Sequence, residues 1–240
     1  MRLARLLLVL VLLGISAHLA LAGDIVAMPT GNMLPAKTVS LGYIYWNTAA
    51  IQTPAGTIND FTHVGEVFVG ITDRLELDYL AIQVQGWDKV SSHSVLSELN
   101  AYYALIKEKP GEHPSLIVGA TNLTGNAWLP SLQRPNPAEG DDRASFFAVS
   151  AYNLAAPIMG PPTWKSPVVR LHLGWGNNWH EERFFGAVQA MFSPKYGAAI
   201  LNYQGDPSYL GAWMPTPKIE INAGWSKGEA LAHVAYTTGF

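Results

Sequence analysis

The residues that could do chemistry in this 240-residue chain are few and scattered. The most suggestive run is His180-Glu181-Glu182, because His and Glu are common metal ligands. A zinc-binding helix would carry two His residues four positions apart in H-E-x-x-H, and this run does not. Adjacent residues of an extended chain also point in opposite directions. The sequence therefore predicts a solvated loop here, with no metal site and no cofactor.

Nucleophilic catalysis has no recognisable motif either. The chain contains no G-x-S-x-G and no G-x-x-x-x-G-K-[ST], which would mark a nucleophile elbow and a phosphate loop. His93 lies between Ser92 and Ser94, but direct neighbours on a strand face opposite sides. The absence of Cys excludes a thiolate nucleophile, a Cys-ligated zinc and any disulfide. We predict no catalytic residues and a protein that is not an enzyme.

The composition points away from an ordinary soluble domain. Only 14% of the residues are charged, whereas about 25% is usual. The formal net charge is −3 and no basic block occurs, which argues against a nucleic-acid partner. Aromatic residues make up 11%, too many for a disordered chain. Something other than water is expected to cover part of this surface.

The first 22 residues have the features of a secretory signal. Two early Arg residues are followed by an apolar run over residues 6–13 and a small-residue cleavage site ending at Ala22. We therefore predict Sec-type export and a single domain over residues 23–240. No later apolar stretch approaches the ~18 residues that would predict a transmembrane helix.

Beyond the signal the hydrophobic pattern has a period of two, which is typical of strands. Gly, Pro, Asn and Asp separate the alternating runs. The predicted strands are residues 38–47, 59–71, 74–85, 95–107, 115–123, 144–154, 168–176, 183–193, 196–204, 208–214, 218–226 and 230–240.

Alternation alone leaves two architectures open. In residues 168–176, for example, Leu171 and Leu173 alternate with Arg170 and His172. A soluble sandwich would bury the apolar face between two sheets. A membrane barrel would turn the same face outward to lipid and the polar face into the lumen.

Three features favour the barrel. Most segments have roughly 9–13 residues, longer than the ~5–6 of a globular strand and close to the ~9–11 that cross a membrane obliquely. The charge content is low, and Trp and Tyr lie mostly toward segment ends, where membrane barrels carry aromatic girdles. We predict an all-β fold, a closed antiparallel up-and-down transmembrane β-barrel of about 12 strands, with about 10 as the alternative.

The last segment places Val234, Tyr236, Thr238 and Phe240 at alternate positions. In this it resembles the bacterial outer-membrane β-barrel family, whose members typically end in an amphipathic strand closed by an aromatic residue. The resemblance implies an outer-membrane location in a Gram-negative-type envelope and insertion into lipid by the barrel-assembly machinery. It also implies that Tyr236 and Phe240 form the assembly signal.

Two further stretches, residues 28–35 and 70–77, look like parts of barrel proteins linked to exopolysaccharide export. This resemblance implies a location and a fold, but it names no substrate. We therefore predict a porin-like channel or a transport-associated structural barrel. Two alternatives stay open: a secreted soluble β-sandwich that binds a ligand such as a carbohydrate, and an outer-membrane barrel enzyme acting on lipid or peptide.

If apolar side chains face lipid, the polar ones line the lumen. Carboxylates lie mostly in the first half of the chain and cations in the second half, so that closure would bring them face to face. They would form either a structural network in a narrow interior or a water-filled path with weak cation preference for a small polar solute. The predicted lumen-lining residues are Glu66, Glu76, Asp78, Glu98, Arg170, His172, Arg183, Lys218 and Glu220.

Two structural predictions separate the barrel from the sandwich. Residues 38–47 should pair antiparallel with residues 230–240, because an open edge in lipid would leave costly unpaired backbone groups. A set of apolar residues should also point outward and be exposed. These are Leu171, Leu173, Phe184, Val188, Ile219 and Ile221.

Overall fold

The computed structural model describes residues 24–25, 28–53, 56–84, 96–124, 144–154, 168–177, 183–193, 195–203, 206–226 and 229–240. The predicted signal, residues 1–22, lies outside the described residues, as do His93 and the run at residues 180–182. Within the described ranges, no helix is long and apolar enough to cross a membrane.

The described chain forms two short strands and twelve long ones. β1 (Asp24–Ile25) and β2 (Met28–Pro29) pair with each other as a small hairpin. The other strands are β3 (Thr38–Thr53), β4 (Gly56–Gly70), β5 (Leu75–Val84), β6 (Leu96–Ile106), β7 (Ser115–Thr121), β8 (Ser145–Asn153), β9 (Val168–Gly176), β10 (Arg183–Ser193), β11 (Tyr196–Tyr203), β12 (Asp206–Thr216), β13 (Ile219–Ser226) and β14 (Glu229–Gly239).

Strands β3 to β14 form one closed antiparallel barrel in which every strand pairs with its neighbours in sequence. Closure occurs between β14 and β3, where Gly239 pairs with Thr38 and Leu231 pairs with Trp46. The predicted fold and the predicted closing pair are confirmed. The soluble sandwich is wrong, because a sandwich needs two sheets facing each other and here one sheet closes on itself.

The hairpin of β3 and β4 is the largest departure from the predicted strand bounds. Residues 48–58 were expected to form a connection, but the two strands continue until Thr53 pairs with Gly56. The extension is seen in the backbone register, in which Ile51 pairs with Ile58. A register shift between Thr48 and Ile51 interrupts the period-two pattern, and this irregularity concealed the extension from the sequence.

The outer face of the barrel is apolar. Leu173 is 58% exposed, Phe184 86% and Val188 44%, as predicted. Leu171, Ile219 and Ile221 lie on the same face but are half-buried. None of the six is buried against a second layer, so apolar side chains cover the outside of the barrel as a membrane barrel requires.

The connections from β4 to β5, from β10 to β11 and from β12 to β13 lie at one end of the barrel, which we call the turn end. The start of β3 and the last residue of β14 meet at the same end, where the Phe240 N–H donates to the Lys37 carbonyl oxygen at 3.0 Å. The chain therefore enters and leaves the barrel at the turn end.

Candidate functional site: a polar interior with an N-terminal plug

Residues 30–36, which precede β3, lie inside the barrel at the turn end and are called the plug segment here. Thr30 is 0% exposed and Leu34 3%. The Gly31 N–H donates to His172 Nδ1 on β9 at 3.2 Å, and the Leu34 N–H donates to Glu76 Oε2 on β5 at 2.5 Å. Two predicted lumen-lining side chains thus hold the backbone of the plug segment.

The plug segment and the barrel wall approach each other closely at two glycines, Gly31 in the plug segment and Gly70 at the end of β4. A Cβ on Gly31 would lie 2.2 Å from the Cβ of Ala151, and Ser115 Oγ donates to the Gly31 carbonyl oxygen at 3.2 Å. A Cβ on Gly70 would lie 2.1 Å from the carbonyl oxygen of Pro35. Such separations are far inside van der Waals contact, so only glycine lets the two backbones approach this closely.

The last residue of the plug segment is tied to the rim of the barrel. The Ala36 N–H donates to the carboxylate of Asp73 in the connection between β4 and β5. Lys107 Nζ lies 3.1 Å from Asp73 Oδ2. The hydrogen bond and charge of Lys107, together with the Ala36 N–H, lower the pKa of this exposed carboxyl.

A first polar cluster joins β4 to β13 and β14. Glu66 Oε2 lies 3.3 Å from His233 Nε2, although β3 runs between their two strands. Gly42 on β3 makes this possible, since a Cβ there would lie 2.5 Å from Glu66 Oε2. Asn222 Nδ2 donates to Glu220 Oε1 at 2.8 Å and lies 3.0 Å from His233 Nδ1. Two carboxylates, an imidazole and an amide thus form one network.

A second cluster involves β5, β6 and the end of β7. Asn100 Nδ2 donates to Asp78 Oδ2 at 2.8 Å, and Asn100 Oδ1 accepts from the Asn122 N–H at 2.8 Å. Glu98, on the same face of β6, is 6% exposed. Asn122 takes up a left-handed conformation with φ 55°, which turns the chain where β7 ends.

A third cluster contains Arg170. Of the two arginines predicted to line the lumen, Arg170 is the one whose side chain the structure describes. Arg170 Nη2 donates to Glu108 Oε2, and Glu108 Oε1 accepts from the Asn153 N–H at 2.6 Å. Glu108 lies in the connection between β6 and β7 and was not predicted. Its sequence context, between two lysines, is typical of a solvated turn and gives no sign that the side chain reaches inward.

The structure brings most of the predicted lumen-lining residues to the interior face. Glu66, Glu76, Asp78, Glu98 and His172 are buried there, and Arg170 and Glu220 are partly buried. Arg183 begins β10, but its side chain lies outside what the structure describes.

Three other predicted residues lie elsewhere. Lys218 is exposed in the tight connection before β13, so the expectation that it lines the lumen needs correcting: its strand begins one residue later. Tyr236 and Phe240, the predicted assembly signal, are 43% and 73% exposed on the outer face.

Apolar side chains fill much of the remaining interior; together they are called the apolar layer. On β3, β4, β5 and β14 these apolar residues lie farther from the turn end than the polar residues do. On β6 the order is reversed, because Glu98 and Asn100 lie farther from the turn end than Tyr102. Met33 of the plug segment and Trp46 pack against this layer. Its members are all at most 8% exposed: Ile44, Val64, Leu80, Ile82, Tyr102, Ala104, Ile117, Phe147, Val149, Phe185, Ala187, Ala199, Leu201, Leu210 and Leu231.

The described interior is therefore packed, with hydrogen-bonded clusters near the plug segment and apolar side chains beside them. Within the described ranges, no group of three or more His, Asp or Glu residues is arranged to hold a metal ion. The arrangement can seal a barrel and bind its own N-terminal segment.

Comparison with known proteins gives little beyond this geometry. No protein-family model matches the chain, and no curated protein matches it. A solved structure described as "De novo design of transmembrane beta-barrels" is 9% identical with a TM-score of 0.27, covering 85% of this chain and 97% of that one. The N-terminal β-barrel domain of Pseudomonas aeruginosa OprF is 11% identical with a TM-score of 0.24, covering 85% and 98%. Similarity at this level carries no functional argument.

Proposed function

We propose that this protein is an outer-membrane β-barrel that is closed at rest, a structural or transport-associated barrel rather than a permanently open porin. The observation that carries the proposal is the buried plug segment, whose backbone hydrogen-bonds to Glu76 and His172 inside the barrel. A freely conducting pore would leave these two side chains to water. Here they hold the protein's own chain.

The outer face supports the membrane part of this proposal. Large apolar side chains such as Phe184 and Leu173 are exposed around a closed sheet. In water such a surface would promote aggregation, whereas in lipid it is the expected exterior of a barrel. Closure removes the unpaired edges that lipid cannot satisfy.

The interior supports the closed state. Its polar clusters pair carboxylates with amides, an imidazole and Arg170, and the apolar layer leaves Val149 and Tyr102 each 1% exposed. Of the two interpretations of the lumen, this favours the structural network over a water-filled path. Passage of a small polar solute would require the plug segment to move.

Insertion by the barrel-assembly machinery, with Tyr236 and Phe240 as its signal, belongs to this proposal. So do Sec-type export and the absence of catalysis. Transport of exopolysaccharide does not, because no contact among the described interior residues favours it.

The membrane assignment predicts a depth-dependent cost for charge on the outer face. Leu171 and Trp175 both point outward from β9, and Leu171 lies near the middle of the strand. Leu171→Arg should destabilise the protein by about 2–4 kcal/mol in a bilayer, and Trp175→Arg nearer the interface by about 0–1 kcal/mol from the charge itself. Urea unfolding of the purified protein from phospholipid vesicles measures both.

The same pair of variants in detergent micelles is the control, because a micelle adapts to an exposed charge. Equal costs for the two variants in the bilayer would contradict the membrane assignment. Recovery of the native protein in a soluble periplasmic fraction, without detergent, would contradict it as well.

A further inference from the structure

Three lysines occupy equivalent places at the turn end. Lys195 lies between β10 and β11, Lys218 between β12 and β13, and Lys37 directly before β3. The backbone carbonyl oxygen of each lysine accepts a hydrogen bond from the end of a neighbouring strand. Lys195 accepts from the Met214 N–H at 2.8 Å, Lys218 from the Thr237 N–H at 2.8 Å, and Lys37 from the Phe240 N–H at 3.0 Å. Their backbone positions are therefore fixed by the barrel.

These lysines follow one another along half of the rim. Two strands separate each from the next in the order β10 to β14 and β3. At about 4.8 Å per strand, neighbouring lysines stand roughly 10 Å apart along the rim. All three are exposed, and none forms an ion pair with a described residue.

The described lysines and the arginine of the opposite half already have partners. Lys107 pairs with Asp73 at 3.1 Å, and Lys109 pairs with Glu112 at 2.6 Å. Arg74 donates to backbone carbonyl oxygens of the strand β6 end at 3.2 and 3.0 Å. In the described part of the rim, one half therefore pairs its two lysines with its own acids, whereas the three lysines of the other half pair with no described acid.

Large aromatic side chains lie on the outer face directly beside two of these lysines. Phe192 is 64% exposed and Tyr196 56% beside Lys195, and Phe240 is 73% exposed beside Lys37. Aromatic side chains at a strand end mark the level at which a bilayer passes from hydrocarbon to headgroups. A lysine next to them can extend toward that headgroup level while its stem stays on apolar surface.

We propose that the half-rim formed by Lys37, Lys195 and Lys218 binds the headgroups of anionic phospholipids in the leaflet at the turn end. The inference rests on the proposed membrane location. A phosphodiester supplies the negative charge that these three ammonium groups do not find in a described acid, and its acyl chains would lie against the neighbouring aromatics. The half of the rim whose lysines pair with Asp73 and Glu112 has no such preference.

Quenching of Trp213 by brominated lipid tests the proposal. Trp213 points outward on β12, opposite Tyr196 in the β11–β12 pair, and is 45% exposed. The protein is inserted into phosphatidylcholine vesicles containing a minor fraction of phosphatidylglycerol, with bromine on one lipid or on the other. The part of the quenching that disappears in a Trp213→Phe variant comes from Trp213, so this difference reports the lipid next to Lys195.

We expect phosphatidylglycerol to be enriched at this position, by about fivefold for each lysine in contact at low ionic strength. The enrichment should decline as added salt shortens the Debye length from the ~10 Å of 0.1 M solution. The triple variant Lys37→Gln, Lys195→Gln, Lys218→Gln should bring the ratio close to one. The double variant Lys107→Gln, Lys109→Gln is the matched control and should leave it unchanged.

Enrichment that is absent in the unaltered protein, or that survives the triple variant, would overturn the proposal. Equal loss in the control variant would also overturn it, because the preference would then follow overall charge rather than this half-rim. Failure to insert into either vesicle would contradict the membrane function and this inference together, whereas insertion without enrichment contradicts the inference alone.

Discussion

Replacing Gly31 by Leu should expel the plug segment from the barrel. The side chain would overlap Ala151 and break the hydrogen bonds from the Gly31 N–H to His172 and from Ser115 to the Gly31 carbonyl oxygen. Two hydrogen bonds at about 1 kcal/mol each and about 1 kcal/mol of overpacking give roughly 3 kcal/mol, a shift of about a hundredfold in plug occupancy.

Cysteine labelling can measure most of this shift, because the chain contains no Cys. A Ser115→Cys background already lacks the hydroxyl that donates to Gly31, so about 2 kcal/mol of the effect remains, roughly a thirtyfold shift. Ser115→Cys places one thiol beneath Gly31, where the serine is 4% exposed. A membrane-impermeant maleimide should react slowly with this thiol in the Ser115→Cys background and far faster once Gly31→Leu is added. Gly65→Leu is the matched control, since a Cβ at Gly65 meets nothing within 4 Å. Equal labelling rates in all three proteins would show that the plug segment does not cover Ser115.

Introducing a charge into the apolar layer should destabilise the whole barrel rather than merely alter its lumen. Val149 is 1% exposed and points inward on β8. An unpaired carboxylate buried there, as in Val149→Asp, should cost at least about 3 kcal/mol of unfolding free energy. Urea titration in detergent, followed by the mobility shift of unfolded barrel on a gel, gives the value.

Val149→Ala separates burial of charge from loss of packing. Removing the two methyl groups should cost about 2 kcal/mol, because each buried carbon contributes about 0.8 kcal/mol and a small cavity remains. A water-filled lumen would hydrate the Asp and make the two variants similar. If the interior is packed, Val149→Asp should lose clearly more unfolding free energy than Val149→Ala does.

Much of the barrel could be predicted because the bounds of a strand and the alternation of its side chains are encoded within short stretches of sequence. The predicted bounds of β9 and β10 agree with the observed Val168–Gly176 and Arg183–Ser193, since both strands lie between Gly-, Asn- or Pro-rich connections and β9 alternates cleanly. The alternation also predicts which side chains face inward, so that Glu76 and His172 could be assigned to the lumen before their contacts were known.

The filling of the barrel could not be predicted in the same way. The plug segment has no periodicity of its own, and its position depends on close approaches at Gly31 and Gly70 between residues far apart in sequence. The pairing of Glu108 with Arg170 likewise depends on the path of a connection. Even the Glu66–His233 contact across β3 needs Gly42, a position whose role appears only when three strands are placed side by side.

The central claim, a membrane barrel closed by its own N-terminal segment and a packed interior, is tested most directly by ion conductance across a planar bilayer. Purified protein, with insertion verified by resistance to added protease, should produce no stepwise or steady current at low applied voltage. A constant ohmic conductance of open-pore size from the unaltered protein would contradict the claim.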